Sequence, residues 1–505
     1  MLSRFAGSWE WDASRLFELI LFPTNNSFTV KLPISRMRVK NLVRVLLINP
    51  PVKTQMTGVL FSSMCEPLGL LYMAAVLEQH EIEVRVIDGI GEELKHEELD
   101  NRIAEFGPDV VGIACMMAET YSDSAEMTRI ARRAAPKAKI ILGGHNASLV
   151  ADKIIENLPE ADYVVVGEGE YVFLELVRSI SNKSDIRRVK GVMYRNNGRA
   201  TFAGDIEPVQ NLDELPFPAK HLLPQNTHYG HFWYGGHKIA LKNLSGMITS
   251  RGCPFGCTFC SCTTFSGRKI RTRSPENVVK EIEYLVNERG VEQIFIVDDN
   301  FTAFPKRVIE ICRLIKERNI DVNWFCEGRV DTASEEMYKA MAKAGCWLIL
   351  LGLESGSQRV LDYYKKKTTV EKGWQAVALA QQAGIDVAGS FIVGSPIEVE
   401  EDYQKTLNFI KRADMDMVNI SSLKVLPGTE LWREFEESGA IKPSDWNKYF
   451  EIFDISDGHS KEKIRRWMKS AENGFYRRPS YIVKEIGRLF GRHRKMISYV
   501  VRNLF

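Results

Sequence analysis

The chain has almost no net charge. Across 505 residues, 67 Lys and Arg stand against 65 Asp and Glu, a formal +2. Taken as a whole, that balance points to no nucleic acid or membrane partner. Long apolar runs are also missing. No stretch reaches the roughly 18 to 20 apolar residues needed to span a bilayer. The opening MLSRFAGSWEWDASRLFELILFPTNNSF is acidic within its short apolar run. It has no charged segment leading to a small-residue cleavage site, so no secretory signal is expected. Cysteine is sparse and odd in number, nine in all, which argues against a disulfide framework. What is present, 45% apolar and 26% charged residues, suits a globular chain of two to four domains.

Four of the nine cysteines crowd into SRGCPFGCTFCSC, residues 250–262. Cys253, Cys257 and Cys260 are spaced C-x3-C-x2-C. A structural zinc site needs four ligands, usually from two paired motifs, and no second C-x2-C pair follows. Cys312, Cys326 and Cys346 fall singly in apolar patterns and read as buried hydrophobes. Three thiolates can instead hold three irons of a four-iron cluster and leave the fourth iron open. Cys262 lies outside the spacing and reads as a packing cysteine.

CPFGCTFC resembles the cysteine signature of the radical S-adenosylmethionine (SAM) enzymes. The resemblance implies a 4Fe-4S cluster on Cys253, Cys257 and Cys260, with Phe259 near the adenine of SAM.

Upstream, short β-branched runs alternate with amphipathic segments: VRVLLINP (43–50), PLGLLYMAAVLEQH (67–80), IEVRVID (82–88), PDVVGIAC (108–115), AKIILGG (138–144) and ADYVVVGEGE (161–170). Unbroken apolar strands between helices predict a parallel, doubly wound, Rossmann-like sheet. Ligands of such sheets sit at the strands' carboxyl ends, here rich in glycine. Placed before the cysteine triplet, this region resembles the cobalamin-binding domain of one radical SAM subclass. That resemblance implies cobalamin contacts at Gly143, Gly144, Gly167 and Glu168. The stretch PVKTQMTGVLFSSMCEPLGL contains no His, so no axial ligand is expected from it. His145 stands one place before the position usual in that subclass.

GVMYRNNGRATFAG predicts a hairpin turning at Asn-Gly. LDELPFPAKHLLP reads as a linker. His228, His231 and His237 follow among aromatics, at a spacing that suits a hydrogen-bonding loop better than a metal site. From Leu244, six strands predict a partial (β/α)6 barrel of the TIM type: LSGMITS, EQIFIVDD, VNWFCEG, CWLILLG, DVAGSFIV and MDMVNISS. The family resemblance implies SAM contacts at their carboxyl ends: Asp298 and Asp299, Arg329 beside Glu327, Glu354 and Ser355, and Gly394. The expected organisation is an extension over 1–36, a cobalamin domain over 37–182, a linker over 183–240, a radical SAM barrel over 241–440 and a basic helical segment over 441–505. Residues 461–505 carry 13 Lys and Arg against 3 acids. That tail suits an anionic membrane surface or a packed basic helix.

The resemblance to cobalamin-binding radical SAM proteins implies cleavage of SAM to a 5′-deoxyadenosyl radical. It further implies methylation of an unactivated carbon of a lipid or other small molecule, fed by an electron donor such as ferredoxin or flavodoxin. A non-methylating cyclase acting on a lipid or tetrapyrrole shares every motif. A tRNA methylthiotransferase would need a second cysteine triad and an RNA-binding barrel, and residues 37–180 hold only Cys65 and Cys115. No nucleic acid is expected, and the expected location is the cytoplasm, with or without membrane contact.

Overall fold

The computed structural model describes residues 43–52, 65–205, 207–224, 229–234, 237–456 and 458–489. The extension 1–36, most of the stretch lacking an axial histidine, His228 and the tail from 490 lie outside the described residues. So do the side chains of His231 and His237.

The first sheet holds β1 (Arg44–Asn49), β2 (Glu83–Asp88), β3 (Val110–Ala114), β4 (Lys139–Gly143), β5 (Tyr163–Val165), β6 (Val192–Asn196) and β7 (Arg199–Phe202). Its order is β2-β1-β3-β4-β5-β6-β7, and the first five strands run parallel. Successive residues of β1 leave by opposite faces. Val45 and Leu47 pack with the helices Leu68–Gln79 and Glu170–Ser181, while Leu46 and Ile48 pack with His96–Phe106 and Tyr121–Ala134. Covering both faces is what an unbroken apolar strand requires. The hairpin turns at Asn197 and Gly198, both with positive φ (48° and 81°), as an Asn-Gly turn demands. It is not a free connector: β6 pairs antiparallel with β5 and so extends the sheet.

An antiparallel pair follows, β8 (His231–Tyr234) and β9 (His237–Ala240). The second sheet contains β10 (Leu244–Met247), β13 (Gln293–Ile296), β14 (Asn323–Gly328), β15 (Cys346–Glu354), β16 (Asp386–Val393) and β17 (Met417–Ser422). They are parallel in that order, making a six-stranded open barrel. A short antiparallel pair, β11 (Ser250–Arg251) with β12 (Arg271–Thr272), flanks the cysteine loop. Local chemistry starts the outer helices. Ser274, Ser334 and Thr369 cap Pro275–Arg289, Glu335–Lys343 and Val370–Ala383 by accepting a backbone N–H three residues on.

The helix Lys461–Tyr476 places Ile464, Trp467, Ala471 and Phe475 in the barrel's apolar core. The Trp467 ring stacks on Tyr403 at 4.5 Å. One face of this part of the basic segment is therefore packed on the barrel. The helix Pro479–Leu489 begins at the expected break. No described helix is long and apolar enough to cross a membrane.

Candidate active site

The cysteine loop leaves the carboxyl end of β10 through Thr249, Ser250 and Arg251. Gly252 turns it with φ +93°, and a Cβ there would stand 2.6 Å from the Lys269 carbonyl oxygen. The loop is tied on both sides. Thr258 N–H donates to the Tyr364 carbonyl (3.0 Å), and Leu431 N–H donates to the Thr258 carbonyl (3.1 Å). Phe259 meets Tyr364 edge to face at 5.1 Å.

Cys253, Cys257 and Cys260 are all half-buried and unpaired. Burial pushes the Cys253 thiol up, against a hydrogen bond from the Phe255 N–H and the charge of Arg329. Burial pushes Cys260 up to about 11, against a hydrogen bond from the Cys262 N–H, with Cys257, Asp299 and Cys253 adding to the rise. Such thiols stay protonated at neutral pH unless a metal takes the proton's place. Among the described residues, no three His, Cys, Asp or Glu gather as a single metal ion requires. An iron–sulfur cluster asks something different, because each iron takes its own thiolate. Three neighbouring thiols, two of them already holding backbone N–H donors and one beside an arginine, fit that donor set.

Beyond the loop, the barrel's strand ends collect charge. Arg329 lies over the Phe255 ring, 3.4 Å from its centroid, and donates to Asp331 (2.8 Å) and to the Lys366 carbonyl (2.7 Å). Glu354, at φ +61°, pairs with Lys366 at 2.5 Å. Gly352 makes room for that pair, since a Cβ there would sit 2.6 Å from Glu354 Oε1. Burial, then the charges of Asp299 and Glu354, push Glu327 up to about 7. A buried carboxyl raised by neighbouring carboxylates marks a place prepared for a cation. The sulfonium and ammonium groups of SAM meet that description.

Three residues with an expected role in SAM binding are engaged in contacts within the protein. Asp298 gives both oxygens to the Thr249 N–H and the Thr249 and Ser250 hydroxyls, and it does not line the cavity described below. Its neighbour Asp299 does line it, and accepts the Gly252 N–H at 3.2 Å. Ser355 is buried against Thr406 (3.0 Å) and accepts the Ser357 N–H. Gly394, at φ +90°, faces Ile452 and Ile464, each 2.8 Å from where a Cβ would be. Those two isoleucines and the positive φ together require the glycine.

Between the two sheets lies a cavity of about 680 Å3. Gly143, Gly144, His145 and Gly167 line it from the first sheet, and Ser250, Arg251, Phe265 and Asp299 from the second. Both sets stand at carboxyl ends of strands, so the two domains meet rim to rim. Gly144 has φ +109°, and a Cβ there would lie 2.7 Å from Met116 Sδ. At Gly143 the nearest atom to such a Cβ is 3.9 Å away, leaving an open wall where a large ring can approach. His145 lies against the Phe265 ring at 3.7 Å, and burial holds its imidazole below the usual range. Much of the first-sheet wall is apolar, including Met73, Met116 and Phe173. A bulky macrocycle edged with polar groups fits such a wall.

Glu168 also lines the cavity, but its carboxylate is spent between the domains. Arg271 donates to it twice, at 2.9 and 2.5 Å, and Arg251 stands at 3.5 Å. Arg251, Arg271, Phe255, Phe265 and Lys366 were not singled out by any motif. Their roles depend on contacts far apart in the chain, which no local motif records.

A Rossmann-like sheet and an open parallel barrel, closed rim to rim beside a C-x3-C-x2-C loop, define an enzyme that brings two large cofactors together. Residues 57–177 match the B12 binding domain and residues 247–410 the radical SAM superfamily. An uncharacterized methyltransferase of Pyrococcus horikoshii is 32% identical over 92% of this chain and 98% of its own length. An anaerobic magnesium-protoporphyrin IX monomethyl ester cyclase of Cereibacter sphaeroides is 31% identical over 72% of this chain and 58% of its own. The radical SAM methyltransferase TsrM from Kitasatospora setae, solved with cobalamin and a 4Fe-4S cluster bound, shares the fold. Its TM-score is 0.65 at 20% identity, covering 79% of this chain and 75% of that one. The protein belongs to the cobalamin-binding-domain-containing radical SAM family.

Proposed function

We propose that the protein methylates an unactivated carbon of a lipid or other small molecule, using a 4Fe-4S cluster, SAM and cobalamin. The observation that carries this reading is the cavity between two rims of strand ends, lined by Gly143, Gly144 and Gly167 on one side and by Asp299 and Ser261, the residue after Cys260, on the other. When bound, the cluster with SAM supplies a carbon-centred radical, and cobalamin supplies the methyl group.

The residues have separable tasks. Cys253, Cys257 and Cys260 hold the cluster. Asp299, Glu327 and Glu354 receive the positive end of SAM, while Arg329 offers a fixed cation to its carboxylate. Phe259 stands in the same loop. Gly143, Gly144 and Gly167 give the corrin ring a close approach. The apolar wall and the buried ion pairs between the domains exclude water from the reacting atoms.

The cyclase relative supports a second reading, in which the same radical closes a ring without methyl transfer. One experiment separates the two. The protein is reconstituted anaerobically with iron, sulfide and hydroxocobalamin, then given SAM and reductant. Methylation yields both 5′-deoxyadenosine and S-adenosylhomocysteine. Deoxyadenosine with bound cobalamin and no S-adenosylhomocysteine favours the cyclase. Deoxyadenosine without bound cobalamin removes both readings. Replacing Cys253, Cys257 or Cys260 by Ala abolishes iron and sulfide retention, whereas Cys262→Ala leaves it intact.

A ferredoxin or flavodoxin is the proposed electron donor. Ile482 and Val483 are exposed just ahead of the basic tail, which supports contact with an anionic membrane. Co-sedimentation with anionic vesicles, and its loss on removing residues 490–505, tests that contact.

A further inference from the structure

The cysteine loop has a second surface, outside the cavity. From Leu215 to Pro275 the chain contains no Asp or Glu. Of the cations around the loop, Arg251, Arg271 and Arg273 are spent inward, on Glu170, Glu168 and Glu281. Arg268 and Lys269 remain outside. Both are exposed, and among the described residues no carboxylate pairs with either; Lys269 has only the neutral Gln210, at 3.4 Å. The Arg268 guanidinium lies on the loop itself. A Cβ at Gly256, the residue before Cys257, would stand 3.0 Å from its Nη2. Gly267 faces open space, and Pro254, next to Cys253, is exposed. Along the loop's other flank runs the lysine segment 365–367. The Tyr364 carbonyl accepts the Thr258 N–H, and the Lys366 carbonyl accepts from Arg329, which lies over the Phe255 ring. Lys365 is paired with Glu430 and Lys366 with Glu354, while Lys367 is exposed and has no such partner among the described residues. None of Pro254, Gly267, Arg268, Lys269 and Lys367 lines the cavity.

Exposed cations without partners attract and orient a protein of opposite charge. Their place narrows what that protein carries. An electron bound for the cluster has to be released close to it, and here the loop itself reaches the surface. Resting on the cluster reading above, we propose that Arg268, Lys269 and Lys367 form the docking face of an acidic one-electron carrier protein, which hands over its electron beside the cysteine loop. No bond forms or breaks in that step: the carrier is oxidised by one electron and the cluster is reduced by one. Electron entry is thereby kept apart from the chamber that takes the substrate.

The test reads binding before electron transfer. An oxidised flavodoxin is titrated into the reconstituted wild-type holoprotein and followed by fluorescence anisotropy. Raising the salt from about 0.05 to about 0.5 M is expected to weaken binding about tenfold or more. Arg268→Glu and Lys367→Glu are each expected to bind about fivefold or more weakly at low salt. Lys137→Glu makes the same change of net charge at the amino end of β4, on an exposed residue remote from the loop, and is expected to bind like the wild type. Stopped-flow reduction of the cluster by reduced flavodoxin should follow the same order. Reduction by methyl viologen, a small cation that needs no docking face, should be equal in all four proteins. Absent or salt-independent binding to the wild type overturns the inference. So does an equal loss in Lys137→Glu, or an equal slowing with both reductants, which would put the effect on the cluster itself. The wild-type salt dependence stands even if a variant folds poorly. A wild-type protein that takes up no iron and sulfide overturns the cluster reading, and this inference with it.

Discussion

Arg271→Met is the perturbation that best probes how the two halves are held. Arg271 and Glu168 are both nearly buried, with side chains 5% and 9% exposed. Arg271 also donates to the Val209 carbonyl at 2.7 Å, and Glu168 accepts the Val209 N–H at 3.0 Å. Removing one member of a buried pair typically costs 3 to 5 kcal/mol, because the other charge is left uncompensated. Here Glu168 keeps Arg251 and one backbone donor, so the expected cost is at the low end, about 3 kcal/mol. Glu168→Gln leaves Arg271 with Val209 and Arg251 with Glu170, and should cost a similar amount. The double variant should lose less than the sum by about 2 kcal/mol, or about 30-fold in an opening equilibrium. Native-state hydrogen exchange read by mass spectrometry on peptides spanning 165–172 and 205–215 reports that local opening directly. Burial alone would raise the Glu168 carboxyl, but the Arg271 fork and the Arg251 charge outweigh it and hold it below the usual carboxylate range. A depressed acid contributes stability above its unfolded pKa and loses it as pH falls through the folded one. Wild-type protection should therefore persist through mild acid, and that of Arg271→Met should fail at higher pH. Additive single effects, with coupling under about 0.5 kcal/mol, would refute the reasoning.

Two further outcomes follow from the site. Gly144→Ala meets both a positive φ and the Cys115 carbonyl oxygen 2.9 Å from its new Cβ, so it should lose about 2 kcal/mol or more in thermal unfolding; Gly143→Ala should leave the melting temperature unchanged yet weaken hydroxocobalamin binding. Glu327 has its pKa raised to about 7, so the folded state holds a proton that the unfolded chain has already released, and apo-protein stability should fall as pH rises from the ordinary carboxylate range to about 7. Glu327→Gln should flatten that slope, while SAM affinity of the wild type, measured by calorimetry, should rise over the same interval as the carboxylate charges.

The strands and the cysteine triplet were legible in the sequence because each is a local pattern. Continuous Val, Ile and Leu at β1 needs only a sheet covered on both sides, and C-x3-C-x2-C needs only eight residues. What the sequence left out shares a cause as well. Asp298 and Asp299 are adjacent, so a strand end sends them in different directions. Which one meets the cavity depends on Thr249 and Ser250, whose donors take up Asp298. Ser355 depends on Thr406, and Gly394 on Ile452 and Ile464, all distant in sequence. Glu168 shows the same limit, since its loop looks like a ligand loop and its carboxylate serves two arginines of the other domain. For 461–476 the second of the two readings of the basic segment holds, since Ile464, Trp467, Ala471 and Phe475 pack the helix on the barrel.

The closing contacts of the cavity carry a further consequence, for the order in which the molecule is made. Lys424 reaches back to Glu119 at 3.1 Å, and Trp446 packs edge-on to Tyr121 at 5.0 Å. Leu426 and Pro427 supply part of the cavity wall. During synthesis the first sheet has all its strands once residue 202 has emerged, and it can pack while the barrel is still being translated. The shared chamber is completed only some 240 residues later, when 424–446 arrive. For much of translation, the glycine-lined rim of the first domain is an open half-site, accessible to a ligand too large to enter easily once the second rim is in place.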